Sequence, residues 1–468
     1  MKDEILQSLR NVVGEEYVIT ELQEKLRYLY DEVNEKIRPK ANEDSVLVFP
    51  NNTSEVAQIC RLAYESNIVI VARGAGTGLS GGAVPTHKSI IISTERLNKI
   101  EEVDRENMMV TLGAGVTLES LYIEMDKHEG IWFPAHPAFD TASLGGIAAT
   151  NGGGARAIRH GIMRRHVVGM EVVLPNGEIL NLGGKLIKDN AGFNLMHLII
   201  GSEGALAIIT KLILRIYPED KFNGSIACAF ETLEEASRAS LKIVESGITP
   251  LAIEYQDRHL FIGGAEVLNK KHNKNAKWPL TKGKSDLMIV VSESEKTQYE
   301  SVVKKIMDIV VANNCVETFE TNDKLLAKEL IDIRSHYYYY VKSNLSHFFD
   351  MTVPAASIPQ FFKDLNSLFA EYGTTTNMCA HIADGNLHNE IMLGSNGEVV
   401  PYAEELKEKM YKVCLSYGGT ITGEHGVGKL RTKELQELKP VEVEIMRKIK
   451  FAFDPKGLLN PGNVLTEV

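Results

Sequence analysis

Cysteine is scarce: five in 468 residues (Cys60, Cys228, Cys315, Cys379 and Cys414), an odd number, scattered and without CxxC spacing. That excludes an iron–sulfur cluster, which needs several closely spaced thiolates, and argues against a disulfide framework. Long hydrophobic runs are also missing, and none approaches the roughly 18 apolar residues needed to span a bilayer. Basic clusters are rare, the Lys-rich Lys270-Lys271-His272-Asn273-Lys274 being short, and the net charge is −11. Nucleic-acid binding, which depends on clustered Lys and Arg, is therefore not expected. The chain opens Met1-Lys2-Asp3-Glu4 into an amphipathic pattern, with no basic start before an apolar stretch, so the expectation is a cytoplasmic protein. What is present is ordinary for a globular protein of two or more domains, with 44% apolar and 24% charged residues.

Glycine marks two stretches. The apolar run Ile68 to Ala72 reads as a buried strand and leads into Arg73-Gly74-Ala75-Gly76-Thr77-Gly78-Leu79-Ser80-Gly81-Gly82. Gly76 to Gly81 matches GxGxxG but opens no helix, because Gly81-Gly82-Ala83-Val84-Pro85 continues as irregular chain, which rejects a nicotinamide-type dinucleotide fold. Such a loop suits a nest of backbone N–H groups around a pyrophosphate, the alternative being a merely flexible loop. The second stretch, Ser143 to Gly154, is built of small residues that admit either a large flat ligand or a close helix contact. Helix caps are expected at Asn52 or Thr53 and at Thr117, a helix beginning at Thr232, and strands at 46–49, 108–113, 169–174, 207–210, 226–230 and 286–291. Residues 1 to about 40 read as helical. Residues 263–285 read as a surface loop, and a helix runs through Ala327, Leu330, Ile331 and Arg334 into Tyr337-Tyr338-Tyr339-Tyr340, with Arg334 and Tyr338 on one face.

The densest chemistry lies in His381-Ile-Ala-Asp-Gly-Asn-Leu-His388-Asn-Glu390. Strands flank Asp384-Gly385, a two-residue hairpin signal. If Ala383 pairs with Asn386, His381 stands opposite His388, with β-carbons about 5 Å apart, and Cys379 stands opposite Glu390. Glu424 and His425 follow in the glycine-flanked run Gly423 to Gly428. Two His and a carboxylate form a common catalytic metal set, although each His taken alone also fits a structural role.

Taken together, Arg73–Gly82, Gly145–Gly154, Asn190-Ala191-Gly192-Phe193 and Gly201-Ser202-Glu203-Gly204 resemble the FAD-binding domain of the vanillyl-alcohol-oxidase superfamily. His381-x6-His388, Gly423-Glu424-His425-Gly426-Val427-Gly428 and the closing Phe453 to Asn463 resemble its D-lactate, glycolate and D-2-hydroxyglutarate dehydrogenases, D-lactate dehydrogenase flavoproteins most of all. The resemblance implies an α+β chain: an N-terminal helical segment (1–45), a two-part FAD-binding domain (46–218), an antiparallel-sheet cap domain with helices on one side (219–420), and a C-terminal segment (421–468) that carries the catalytic loop and returns to the FAD domain.

It implies FAD contacts at Arg73, Gly74, Gly76, Thr77, Gly78, Gly81, Pro134, Ser143, Gly146, Asn151, Gly154 and Asn463. A divalent metal (Zn, Fe or Mn) would sit on His381, His388 and Glu424, with His425 as proton acceptor and Arg334 at the substrate carboxylate. Glu390 departs from the family's uncharged residue and, on the register above, would be a fourth ligand. Neither His136 nor His160 sits in a pattern for covalent flavin attachment. Dicarboxylate-specific members carry Lys-Tyr-Asp where this chain has Phe348-Phe349-Asp350, which favours a small monocarboxylate. The implied partners are a 2-hydroxy acid and an electron acceptor, either an electron-transfer flavoprotein, an iron–sulfur subunit or a quinone. A metal-dependent hydrolase is the alternative from another enzyme class.

Overall fold

The structure, a computed structural model, describes residues 1–135 and 139–467. His136, one of the two histidines weighed for flavin attachment, lies outside them. The chain divides into two units. The first comprises 1–153, 162–218 and 424–468, and the second 154–161 and 219–423. Residues 1–45 are therefore part of the first unit, not a separate body, and they include a short strand, Val18–Ile19, besides helices.

In the first unit Asn52 caps the helix Thr53–Glu65, its side chain accepting the Glu55 N–H. Val56, Ile59, Cys60 and Ala63 form the buried stripe of that helix, at the three-to-four-residue spacing of a single face. The crossover it makes is what allows the strands Val46–Val48 and Val69–Arg73 both to run parallel to Ser89–Ser93, which lies between them. Ile90, Ile91 and Ile92 in that central strand are fully buried, each stabilising the unit by roughly 1.5–3 kcal/mol. A five-stranded antiparallel sheet follows, in the order Ile100–Asp104, Met109–Gly113, Ile208–Arg215, Val167–Val173, Ile179–Gly183. Its apolar face packs in one core with the helix Leu144–Thr150.

The second unit is organised on a seven-stranded sheet in which every pairing is antiparallel. Its order is Glu317–Thr321, Phe222–Phe230, Ser285–Glu293, Ala252–Asp257, Cys379–His381, Asn386–His388, Met351–Thr352. Thr232 and Glu235 form a reciprocal capping box at the start of Leu233–Glu245. The segment 154–161 joins this unit through Arg159, which donates to the Ser292 carbonyl at 2.6 Å and pairs with Asp220 at 3.6 Å. No helix among the described residues is long and apolar enough to cross a membrane.

One expectation is overturned here. Residues 263–285 are not a surface loop throughout, because the helix Arg258–His272 occupies the first ten of them. Gly263 and Gly264 lie inside that helix. A β-carbon on Gly263 would overlap the Tyr340 ring, and one on Gly264 would overlap the Ile333 carbonyl. These glycines permit close helix packing, which composition alone does not separate from a turn.

Candidate functional site

In the first unit the chain leaves the strand Val69–Arg73 and runs without helix to Ser89. The N–H groups of Gly74 through Ser80 donate to no acceptor among the described residues. Such a row of unused donors is the cradle an anionic pyrophosphate fits. The loop keeps its course because Arg73 folds behind it, donating to the carbonyls of Tyr30 at 2.9 Å and Arg27 at 3.1 Å. Gly76 has φ +74°, and a β-carbon there would overlap the Arg73 guanidinium, so only glycine fits.

Ser143 caps Leu144–Thr150 by accepting the Gly146 N–H at 3.3 Å, and its hydroxyl occupies the space a side chain at Gly74 would need. The two glycine stretches thus line one cleft of about 220 Å³, partly open to solvent. Of the residues expected to hold FAD, Arg73, Gly74, Gly76, Thr77, Gly78, Ser143, Gly146 and Asn463 line this cleft. Gly81, Pro134, Asn151 and Gly154 do not. Gly81 packs on Pro39, Pro134 is buried, Asn151 ends the helix at φ +56° and accepts the Arg164 N–H at 2.9 Å, and Gly154 belongs to the second unit.

Glu424 and His425 line the same cleft, although they lie more than 200 residues beyond the second glycine stretch. Buried Glu203 holds their loop in place. One of its carboxylate oxygens accepts the Val427 N–H and the other the Gly428 N–H, both at 2.7 Å. Ser80 adds a hydrogen bond to the His425 carbonyl at 3.2 Å. Burial raises the Glu203 pKa, and the two N–H donors oppose that rise. Glu424 Oε1 lies 3.8 Å from His425 Nε2. Asp31, also in the wall, has its carboxyl pushed up by burial to about 6.

The histidine pair belongs to the second unit, and its register differs from expectation. His381 pairs with Asn386, and Cys379 pairs with His388. The hairpin turn takes four residues, with the Asp384 and Gly385 N–H groups both donating to the His381 carbonyl. A shift of two preserves the face of each side chain, so the imidazoles still meet edge to face with centroids 5.5 Å apart. Two buried imidazoles at that spacing suit a divalent ion of the zinc, iron or manganese kind.

Glu390 does not share the hairpin. It lies on Glu390–Met392, pairs with Phe348, and accepts the Asn377 side-chain amide at 2.7 Å. Its place opposite Cys379 is taken by His388, and burial pushes its carboxyl up to about 7.

Arg334 closes the helix Lys324–Ser335 and is buried, with its Nε 2.5 Å from Glu254 Oε2. A break at His336 separates it from the helix Tyr337–Val341, so Tyr338 packs on Phe348, with centroids 5.2 Å apart, and the arginine approaches the Tyr337 ring. Phe348 in turn stacks on His388 at 5.5 Å and 11°.

Sequence reasoning missed three carboxylates: Glu203, Glu254 and Asp350. Asp350 is fully buried. It accepts the Asn386 amide at 2.9 Å and the Thr422 hydroxyl at 2.6 Å, and stands 4.0 Å from His388 Nδ1. An aspartate in Phe-Phe-Asp carries no signal of this. Glu203 stands within Gly-Ser-Glu-Gly, but the loop it binds is more than 220 residues away.

The family described as FAD binding domain matches residues 45–183, and that described as FAD linked oxidases, C-terminal domain, matches residues 220–464. The D-lactate dehydrogenase of Archaeoglobus fulgidus is 35% identical over 94% of this chain and 96% of its own. The glycolate oxidase subunit GlcD of Bacillus subtilis is 30% identical over 90% and 89%. Among solved structures, p-cresol methylhydroxylase with substrate bound shares the fold, with a TM-score of 0.79 at 16% identity over 99% of this chain and 96% of that one. Both domain matches carry flavin chemistry, and the metal-dependent hydrolase reading falls with them. The chain belongs to the FAD-linked oxidoreductases of the vanillyl-alcohol-oxidase superfamily, in the family that holds D-lactate dehydrogenases and glycolate oxidase subunits.

Proposed function

We propose that this flavoenzyme dehydrogenates a D-2-hydroxy acid, D-lactate to pyruvate, using a divalent ion held by His381, His388 and Glu424, and passes the electrons to a separate protein or quinone. The observation that supports the reading is that His425 and Glu424, the proposed base and ligand, line the same cleft as the glycine loop. When bound, FAD accepts the hydride equivalent and the divalent ion draws electron density from the substrate hydroxyl. The His425 imidazole takes the hydroxyl proton at a ring nitrogen, since an imidazole exchanges protons near neutral pH. Arg334 orients the substrate carboxylate, and its burial strengthens that interaction by excluding water.

Phe348 gives the site an apolar face against His388, where dicarboxylate-specific relatives carry a lysine nearby in sequence, which supports a short monocarboxylate. Glycolate is the second reading, favoured by the similarity to the Bacillus glycolate oxidase subunit.

The test is an anaerobic absorbance spectrum before and after D-lactate, with L-lactate and a chelator-treated sample as controls. Bleaching of the flavin band by the D-acid alone, and only with metal present, is expected. His425→Ala should keep its flavin and lose most of the bleaching. A band that stays oxidised with D-lactate and metal refutes the substrate, and normal bleaching in His425→Ala refutes the base.

A further inference from the structure

Glu254 is fully buried in the strand Ala252–Asp257, in the interior of the second unit. Tyr255 pairs with Ala380 on the neighbouring strand, so Glu254 stands opposite His381 one residue along. Its Oε1 lies 2.7 Å from His381 Nδ1, and its Oε2 lies 2.5 Å from Arg334 Nε. Arg334 Nη2 also approaches His381 Nδ1, at 3.4 Å. One buried carboxylate therefore touches both a proposed metal ligand and the proposed substrate arginine.

We propose that Glu254 is the positioning residue of this site, an inference that rests on the metal and substrate roles proposed above for His381 and Arg334. A carboxylate paired with a guanidinium is an acceptor only, so the proton of the His381–Glu254 hydrogen bond sits on Nδ1. The lone pair of His381 is then on Nε2, the atom that ligates, and the ring is locked in azimuth. The same carboxylate fixes Arg334 at Nε, so the arginine presents its terminal nitrogens to a substrate carboxylate. Glu254 also offsets the buried guanidinium charge. Metal affinity and substrate orientation thus share one support.

The test titrates zinc, the probe metal, into chelator-treated, FAD-loaded protein against a chromophoric competitor. Glu254→Gln should bind zinc about 10- to 100-fold more weakly than wild type while flavin per chain is unchanged. Selective 15N-histidine NMR of metal-free protein should find His381 protonated at Nδ1 in wild type and as a tautomer mixture in the variant, which a merely structural role would not produce. If Glu254→Gln does not fold, Glu254→Asp carries the same test, since it keeps the charge facing Arg334 but withdraws the oxygen from His381. Zinc affinity and tautomer equal to wild type overturn the role of Glu254. A wild-type protein that binds no zinc, iron or manganese overturns the metal reading itself, and this inference with it.

Discussion

Replacing Glu203 isolates what holds the loop of Glu424 and His425. Its two oxygens each accept one backbone N–H at 2.7 Å, from Val427 and Gly428, and the residue is almost wholly buried. Hydrogen bonds to a charged acceptor contribute about 1.5–3 kcal/mol each, so Glu203→Ala removes about 3–6 kcal/mol of local support and leaves two buried donors without partners. Glu203→Gln keeps one carbonyl acceptor and sets its amide against the other N–H, a loss of about 2 kcal/mol. At about 1.4 kcal/mol per decade, the Val427 and Gly428 amides should exchange with solvent roughly 30-fold faster in the glutamine variant and at least about 100-fold faster in the alanine variant. Hydrogen-exchange mass spectrometry on a peptide spanning 425–430 reads this directly, and peptides from the parallel sheet report whether the effect stays local. Substrate-driven flavin reduction should fall in the same order while bound flavin persists. Unchanged exchange at 427 and 428 in Glu203→Ala would refute the reasoning, whatever happened to activity.

Two further perturbations address the cleft. Gly76→Ala forces a β-carbon into the Arg73 guanidinium at φ +74°, so the purified protein should carry little FAD, read as the ratio of flavin to protein absorbance; full occupancy would show that the loop tolerates displacement. Asp31, with a folded pKa of about 6 against an ordinary 3.8, binds a proton in the folded state that the unfolded chain has released. Stability should therefore fall by about 3 kcal/mol as pH rises from about 4 to 6 and level off above that. Thermal midpoints of wild type and Asp31→Asn should diverge across that window, and parallel curves would refute the assignment.

How much the sequence disclosed depended on the range of each interaction. The strand leading into the glycine loop, the caps at Asn52 and Thr117 and the helix starting near Thr232 were legible, because they rest on neighbours three residues apart or on one buried run. The hairpin of His381 and His388 was half legible. Alternation set the shared face, but turn length set the register, and Asp384-Gly385 does not reveal that Ile382 and Ala383 join the turn. The helix over Gly263 and Gly264 was hidden because its glycines answer to Tyr340 and Ile333, partners some 70 residues away. Glu254 was invisible for the same reason: an acidic residue in an apolar strand signals burial with a partner, but not which partner.

The first unit is assembled from three separated stretches of chain, and this bears on how it is made. Asn460 donates its N–H to the Ile70 carbonyl at 2.8 Å, accepts the Ala72 N–H through its side chain, and bonds the Glu203 carbonyl. The strand that launches the glycine loop is thus completed by residues nearly 400 positions later. During synthesis the cap region emerges before the flavin cleft has its final wall, so FAD can be captured in its native setting only after residues 424–463 have been made. A polypeptide cut after the nucleotide-binding motifs would carry them all and still lack the site.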